Sequence, residues 1–374
     1  MEIIGLRRGV RDVLPYVPGK TIEEVKRELG LTDVIKLGSN ENPYAPFNNS
    51  FTAMRNELKA LNCYPDVTFK EIKRLLAERF NLTSENFAIS HGAEGMLQTL
   101  GKCFLENEDE VIIPKVTYSL YHEISKLMGA KVIETSLTNK LVININSIMD
   151  ALTEKTKLVW LCNPNNPTGT IFPKEDLEYL LGNLPRSTWV VLDEAYAEFA
   201  EKNKLPDTVD FIKNNKKIIM VRTFSKAFGL AGARIGYAMA SPKMINIIDT
   251  VSEPFNANRV GLAGATAALK YDRKQYLQSL ETIISDRKRL EEALQKMGCG
   301  VVASHTNFVY FYTPLKSTTL TEILLQNGVI VRPCNGWGLE NGIRVTVGTT
   351  EECNKFLATL KNILADYCGL TEDS

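Results

Sequence analysis

The sequence lacks an excess of either charge: 44 Lys and Arg stand against 44 Asp and Glu, a formal net charge of zero. A nucleic-acid-binding chain carries a basic surplus, and a polybasic membrane anchor or an acidic tail would also tip the balance, so no such partner is expected. No uninterrupted apolar run approaches the roughly 18–20 residues of a membrane-spanning helix. The stretch MEIIGLRRGVRDVLPY places charges ahead of any long apolar segment and does not read as a secretion signal. A cytoplasmic location is expected. Histidine is scarce, at three in 374 residues, and the seven cysteines are scattered, odd in number and never spaced C-x-x-C. Neither a disulfide framework nor a metal site is expected. Repeats and low-complexity tracts are also missing. The composition, 44% hydrophobic and 24% charged, can fill a large core. A chain of 374 residues is long for one core, so about two domains are expected.

Helical and strand signals alternate. Thr21 and Glu24 form a capping box ahead of IEEVKREL, with Gly30 as the stop. Further helices are predicted near FKEIKRLLAERF, from HGAEGMLQTLGKCF, and at PKEDLEYLLGNL. The runs DEVIIP, AKVIET, TKLVWLC, TWVVLDEA and KKIIMVRTFS are short, apolar and rich in β-branched residues, as strands buried on both faces are. This alternation implies an α/β layer architecture. After about residue 255 the pattern changes to one long helical stretch over 262–297, the shorter strands SHTNFVYFY, NGVIVRP and GIRVTVG, and a closing helix. A smaller α+β domain is expected there.

Sites in open α/β sheets lie beyond the carboxyl ends of the strands. Three successive strand ends deliver Asn166, then Asp193 with Tyr196, then Ser225 with Lys226 and Arg234. Lys226 sits among small and apolar neighbours; a desolvated lysine can attack carbonyl carbon. Asp193 ends an apolar strand, and a buried carboxylate needs a cation, which a protonated pyridine nitrogen would provide. Ser225 and Arg234, with the free amides at Gly92, Ala93 and Glu94 where SHGAEG opens a helix, could hold a phosphate. Arg332 and Arg344 bracket the loop PCNGWGLENG and suit carboxylate or phosphate. Taken singly, the lysine, Tyr196 and Asn166 are more often structural, the lysine as a solvated loop residue; Asp193 could be a helix cap or an ion pair, and each arginine is as readily a surface ion pair. Their combination is what points to one crevice.

NPNNPTG, DEAY and SKAFGLAGARIGY, in that order, resemble the pyridoxal-phosphate aminotransferases of fold type I, the aspartate aminotransferase superfamily. PYVPGKTIEEVKRELG, IKLGSNENPYAPF, CYPD and VIVRP with GWGLENGIRVTVGT extend the resemblance over about residues 10–365, most like the histidinol-phosphate aminotransferase branch. The resemblance implies a large domain over 39–262 with a mostly parallel seven-stranded sheet. A smaller domain would comprise 1–38, as an N-terminal arm, and 263–374. The implied cofactor is pyridoxal 5′-phosphate. Lys226 would form the internal Schiff base, Asp193 would pair with the ring nitrogen, and Tyr196 and Asn166 would bond its phenolic oxygen. Tyr118 would stack on the ring. Ser225, Arg234 and the amides of Gly92, Ala93 and Glu94 would hold the phosphate. Tyr64 would reach a phosphate across a homodimer interface. Arg344 would bind the substrate's anionic group, assisted by Arg332 and Tyr16.

The implied reaction is a ping-pong transfer of an amino group between histidinol phosphate, a small anionic amine, and the 2-oxo acid 2-oxoglutarate or its amine, glutamate. An aromatic amino-acid aminotransferase and a threonine-phosphate decarboxylase-like enzyme are the alternatives on the same scaffold. Three positions depart from the pattern: Cys63 where Arg often precedes Tyr-Pro-Asp, Glu94 in place of Asp, and Trp337 where Tyr is common. A carboxylate turned inward at Glu94 would repel a phosphate, so only its amide is expected to face one.

Overall fold

The apolar runs do become strands in the computed structural model of the chain, which describes residue 5, residues 8–11 and residues 19–372. In chain order the strands are β1 (Ile35–Lys36), β2 (Phe87–His91), β3 (Glu110–Pro114), β4 (Lys131–Thr135), β5 (Thr156–Cys162), β6 (Trp189–Asp193) and β7 (Ile218–Thr223). They continue with β8 (Ile235–Met239), β9 (Gly300–Val302), β10 (Phe308–Tyr312), β11 (Val329–Ile330), β12 (Arg332–Pro333) and β13 (Gly342–Thr346). A seven-stranded sheet has the order β2-β8-β7-β6-β5-β3-β4. Only β8 opposes its neighbours; the pairings β7-β6, β6-β5, β5-β3 and β3-β4 are parallel.

Helices cover both faces, so the central strands see no water. Leu158 to Leu161 and Val190 to Leu192 are fully buried. Each such side chain contributes about 1.5–3 kcal/mol of burial, which is why these strands carry apolar residues at every position instead of alternating. The parallel register aligns the strand ends: Cys162 lies opposite Asp193, and Asp193 opposite Val221. β2 runs with β7 and ends at His91, opposite Ile235 at the start of β8. One edge of the sheet thus collects the ends of β2, β3, β5, β6 and β7 and the start of β8.

A four-stranded antiparallel sheet, β12-β13-β10-β9, and the parallel pair β1-β11 make the C-terminal region α+β. The N-terminal segment packs here: the Leu37 amide donates to Ile330 O and the Thr346 amide donates to Leu37 O, both at 2.7 Å. The helix Ile22–Leu29 has the expected Thr21–Glu24 capping box and a left-handed Gly30 at φ 68°.

The helical stretch expected over 262–297 is two helices, Arg259–Tyr271 and Arg273–Lys296, parted at Asp272. The cause is a distant partner. The Asp272 carboxylate accepts from the Asn49 and Ser50 amides (3.1 and 2.8 Å), Asn49 Nδ2 (2.8 Å) and Ser50 Oγ (2.6 Å), capping the helix Asn48–Glu57. Asp272 is buried, so removing its carboxylate strands several donors at once. Asp272→Ala is expected to cost about 2–4 kcal/mol, measured by urea denaturation, with the loss falling on the packing between helices 48–57 and 259–271.

Candidate active site

The sheet edge opens into a cavity of about 270 Å³. Its wall brings together Ala93, Glu94, Tyr118, Asn166, Asp193, Tyr196, Ser225, Lys226, Arg234, Arg332 and Arg344. Gly92 lies just outside that wall. Tyr16 lies outside the described residues.

At the floor, Asp193 ends β6, buried, with Oδ2 accepting from Tyr121 Oη at 2.8 Å and Oδ1 from the Ala195 amide at 3.0 Å. Burial raises its carboxyl to about 6, against the opposing hydrogen bonds from Tyr121 and Ala195. No Lys, Arg or His side chain among the described residues forms an ion pair with it. The carboxylate is therefore solvated by two neutral donors and left open to a cation. Behind it Tyr121 stacks on Trp160, with ring centres 5.4 Å apart and planes within 3°, which fixes the hydroxyl.

Lys226 follows β7. Its Nζ donates to Ser39 O at 3.3 Å and lies 5.8 Å from the Tyr196 ring centre. Burial first, and then the nearby Arg344 and Arg234 guanidiniums, push the ammonium down to about 8; Glu41 and Asp193 oppose them. The fraction present as free amine at neutral pH is correspondingly larger than for a solvated lysine. Tyr196 is buried, receives Asn40 Nδ2 at 3.0 Å and is pushed up to about 12 mainly by burial, so it stays protonated.

The other end of the cavity is built from backbone and arginine. Helix Gly92–Phe104 begins at the edge with no side chain capping its first turn, leaving amides to point outward. Gly92 has φ 71°, and a Cβ there would sit 2.9 Å from Arg234 Nη2. Glycine thus permits both the backbone turn and the guanidinium's approach. Gly236, two residues after Arg234, likewise lets the Ala93 backbone approach β8. Ser225 is held by Thr223, whose Oγ1 donates to Ser225 Oγ at 2.9 Å and accepts from the Ser225 amide at 3.0 Å. The Glu94 side chain does not turn away: its Oε2 lies 3.7 Å from Arg234 Nη2.

Arg332 and Arg344 are direct cross-strand partners on β12 and β13. Arg344 is buried, donating from Nη1 to Asn166 Oδ1 at 2.7 Å and from Nη2 to Gly38 O at 2.8 Å, over the Phe308 ring at 5.4 Å. The contact ties the C-terminal sheet to the NPNNPTG loop of the large sheet.

The family model for aminotransferase class I and II matches residues 32–360. Histidinol-phosphate aminotransferases of Symbiobacterium thermophilum and Moorella thermoacetica are each 36% identical to the chain, over 96% of it and 99% and 93% of their own lengths. The chain belongs to the class I and II aminotransferases. Among solved structures, histidinol-phosphate aminotransferase from Sinorhizobium meliloti in complex with pyridoxal-5′-phosphate superposes with a TM-score of 0.88 at 26% identity, covering 98% of this chain and 99% of that one. Aspartate aminotransferase from Thermus thermophilus shares the fold, with a TM-score of 0.82 at 23% identity over 96% and 100%.

This aminotransferase carries parts that its motifs did not announce. Tyr121 supports Asp193, and its only signal is its position one helical turn after Tyr118. Asn40 reaches Tyr196 from the turn GSNEN, where it holds φ 55°, a value that Asn tolerates better than most residues. Trp337 spans the cavity: Nε1 donates to Thr117 O at 2.6 Å, beside Tyr118. Trp337→Phe keeps an aromatic ring, though a smaller one, and removes this bond, so the loop 334–341 should hold substrate less well. The expected outcome is a KM for the amine raised about five- to tenfold with kcat within twofold, read by steady-state kinetics.

Tyr64 stands apart. It is 76% exposed, outside the cavity, stacked on Phe255 at 4.3 Å. Phe51, Leu58, Leu61 and Val67, all at least half exposed, come from the same segment.

Proposed function

We propose that this aminotransferase moves an amino group between histidinol phosphate and 2-oxoglutarate or glutamate, as a cytoplasmic homodimer using pyridoxal 5′-phosphate. The observation that carries the reading is the buried, cation-free Asp193 facing one cavity with Lys226, in a chain related over its full length to histidinol-phosphate aminotransferases. Those residues fit the cofactor. Asp193 would hold a proton on the ring nitrogen and Lys226 would hold the aldehyde carbon. Tyr196 and Asn166 would donate to the phenolic oxygen, with Tyr118 on the ring face. Ser225, Arg234 and the first-turn amides would take the phosphate. In this reading 39–262 holds the cofactor, while 1–38 and 263–374 bring Arg332 and Arg344 to the substrate.

When bound, pyridoxal phosphate supplies an electrophilic carbon for the amine and an electron-accepting ring. The chain supplies the rest. Lys226 Nζ, low in proton affinity for a lysine, takes the proton from the substrate Cα as general base. Asp193, buried, would hold its ion pair with the ring nitrogen away from water, where the low dielectric strengthens it. Arg344, braced by Asn166 and Gly38, binds a carboxylate in one half-reaction and a phosphate in the other, which lets one pocket serve both partners. Trp337, held by Thr117 O, would stand at the cavity wall beside the substrate.

Mixing the enzyme with histidinol phosphate, phenylalanine or threonine phosphate, and following the cofactor spectrum, tests the donor. Fast conversion to the amine form with histidinol phosphate supports the proposal; preference for phenylalanine, or carbon dioxide release from threonine phosphate, overturns it. The dimer reading rests on the exposed Tyr64 and its apolar surroundings, which a partner would cover while Tyr64 serves the partner's phosphate. A fully active monomer in analytical ultracentrifugation would contradict it.

A further inference from the structure

A second cavity, larger than the one above, stands apart from it. It measures about 920 Å³ and lies across β6 and β7 from the candidate active site. Consecutive residues of one chain segment divide the two: Asp193 lines the first cavity and Glu194 the second. The volume is at the upper end for small-molecule sites.

Its charges fall into two groups. Arg222 is fully engaged, donating to Glu194 Oε2 from Nε (3.0 Å) and Nη2 (2.7 Å) and to Glu198 Oε1 from Nη1 (3.2 Å), while Thr208 Oγ1 donates to the other Glu194 oxygen at 2.5 Å. Glu78 pairs with Arg74 and Asp207 caps the following helix. The acids on the wall are thus committed. Three cations are not: Arg79, Arg273 and Lys213 line the cavity with no carboxylate in ion-pair distance among the described residues. Arg79 has five N–H donors and gives one, from Nη2, to Tyr276 Oη at 3.0 Å.

The apolar side is aromatic. Phe228 and Tyr276 stack with centres 4.6 Å apart, and the Arg79 guanidinium lies over both, 5.3 and 5.4 Å from their centres. Arg79 is exposed, and among the described residues its one hydrogen bond is to Tyr276, which leaves donors for an anion. The Phe228 and Tyr276 rings are almost fully buried, 2% and 6% exposed, so they seat Arg79. The open apolar wall is Phe80 and Leu277, and a flat apolar body against it, with an anionic group on Arg79, would satisfy both features.

We infer that this cavity is a second ligand site, separate from the transamination site, that takes a small aromatic carboxylate or sulfonate, with Arg79 as its anion anchor.

The test uses holoenzyme and the probe 1-anilinonaphthalene-8-sulfonate, followed by fluorescence. Saturable binding is expected, displaced by benzoate and not by benzyl alcohol at equal concentration. Arg79→Ala should weaken the probe at least about tenfold and leave transamination kcat/KM within twofold. Arg79→Gln is shorter but keeps the stem and a side-chain N–H donor without the charge, and should weaken it similarly; it stands in if the alanine variant does not fold. Unchanged probe affinity in the folded variants, or equal displacement by benzyl alcohol, overturns the inference.

Discussion

Lys226→Ala is expected to lower turnover by at least about 10⁴-fold while the protein still takes up its cofactor. A positioned general base alone contributes about 10²–10⁴-fold, and the variant also loses the amine that would hold the aldehyde carbon. Ser225, Arg234 and the helix amides do not depend on Lys226, so the phosphate end stays intact. The wild-type lysine is suited to both tasks. At about 8, brought there by burial and by Arg344 and Arg234, about one tenth of it is neutral at pH 7, against less than about 0.1% of a solvated lysine. Wild-type activity limited by this amine should therefore rise with pH up to about 8 and flatten above. Steady-state assays give the turnover, and absorbance after desalting gives the bound cofactor. Substantial turnover by the alanine variant would remove Lys226 from the mechanism.

The site was largely legible because a parallel sheet turns sequence order into spatial convergence. Asn166, Asp193 and Ser225–Lys226 each follow an apolar run, and strands buried on both faces are conspicuous. β2 and β8 were not legible. FAISH and IGYAM are short and mix small and polar residues, and what makes them strands is pairing with each other and with β7. Gly236 reads as a strand breaker, yet β8 tolerates it because the Ala93 backbone passes where a side chain would stand. Asp272 was hidden for a different reason. It sits in an otherwise continuous helical pattern, and its partners, Asn49 and Ser50, are more than 220 residues away. Glu94 shows the limit of local electrostatics. The helix dipole argument, which had only its amide facing the cavity, did not foresee that its carboxylate would reach Arg234.

Asp193→Asn is expected to move activity and stability in opposite directions. The carboxyl is 4% exposed and, among the described residues, bonded only to Tyr121 and Ala195. Its folded-state value of about 6 lies above that of an unfolded Asp. Its stability contribution is therefore fully present below about pH 4 and is lost as pH rises through about 6; above that the buried charge costs the cofactor-free protein on the order of 2–3 kcal/mol. Asn keeps the volume and an acceptor for Tyr121 and carries no charge, though its own N–H donors need partners. The cofactor-free variant should be more stable than wild type by about 1–2 kcal/mol at pH 7 and no more stable at pH 4, by urea denaturation. With cofactor, kcat/KM should fall at least about 10²–10³-fold, the usual effect of removing one preorganised charge from a site, because no anion would hold the proton on the ring nitrogen. Equal or lower stability at pH 7 would mean that the carboxylate is already compensated without the cofactor. Its desolvation is the link between the two effects: the burial that makes Asp193 costly alone is what makes it bind a cation strongly.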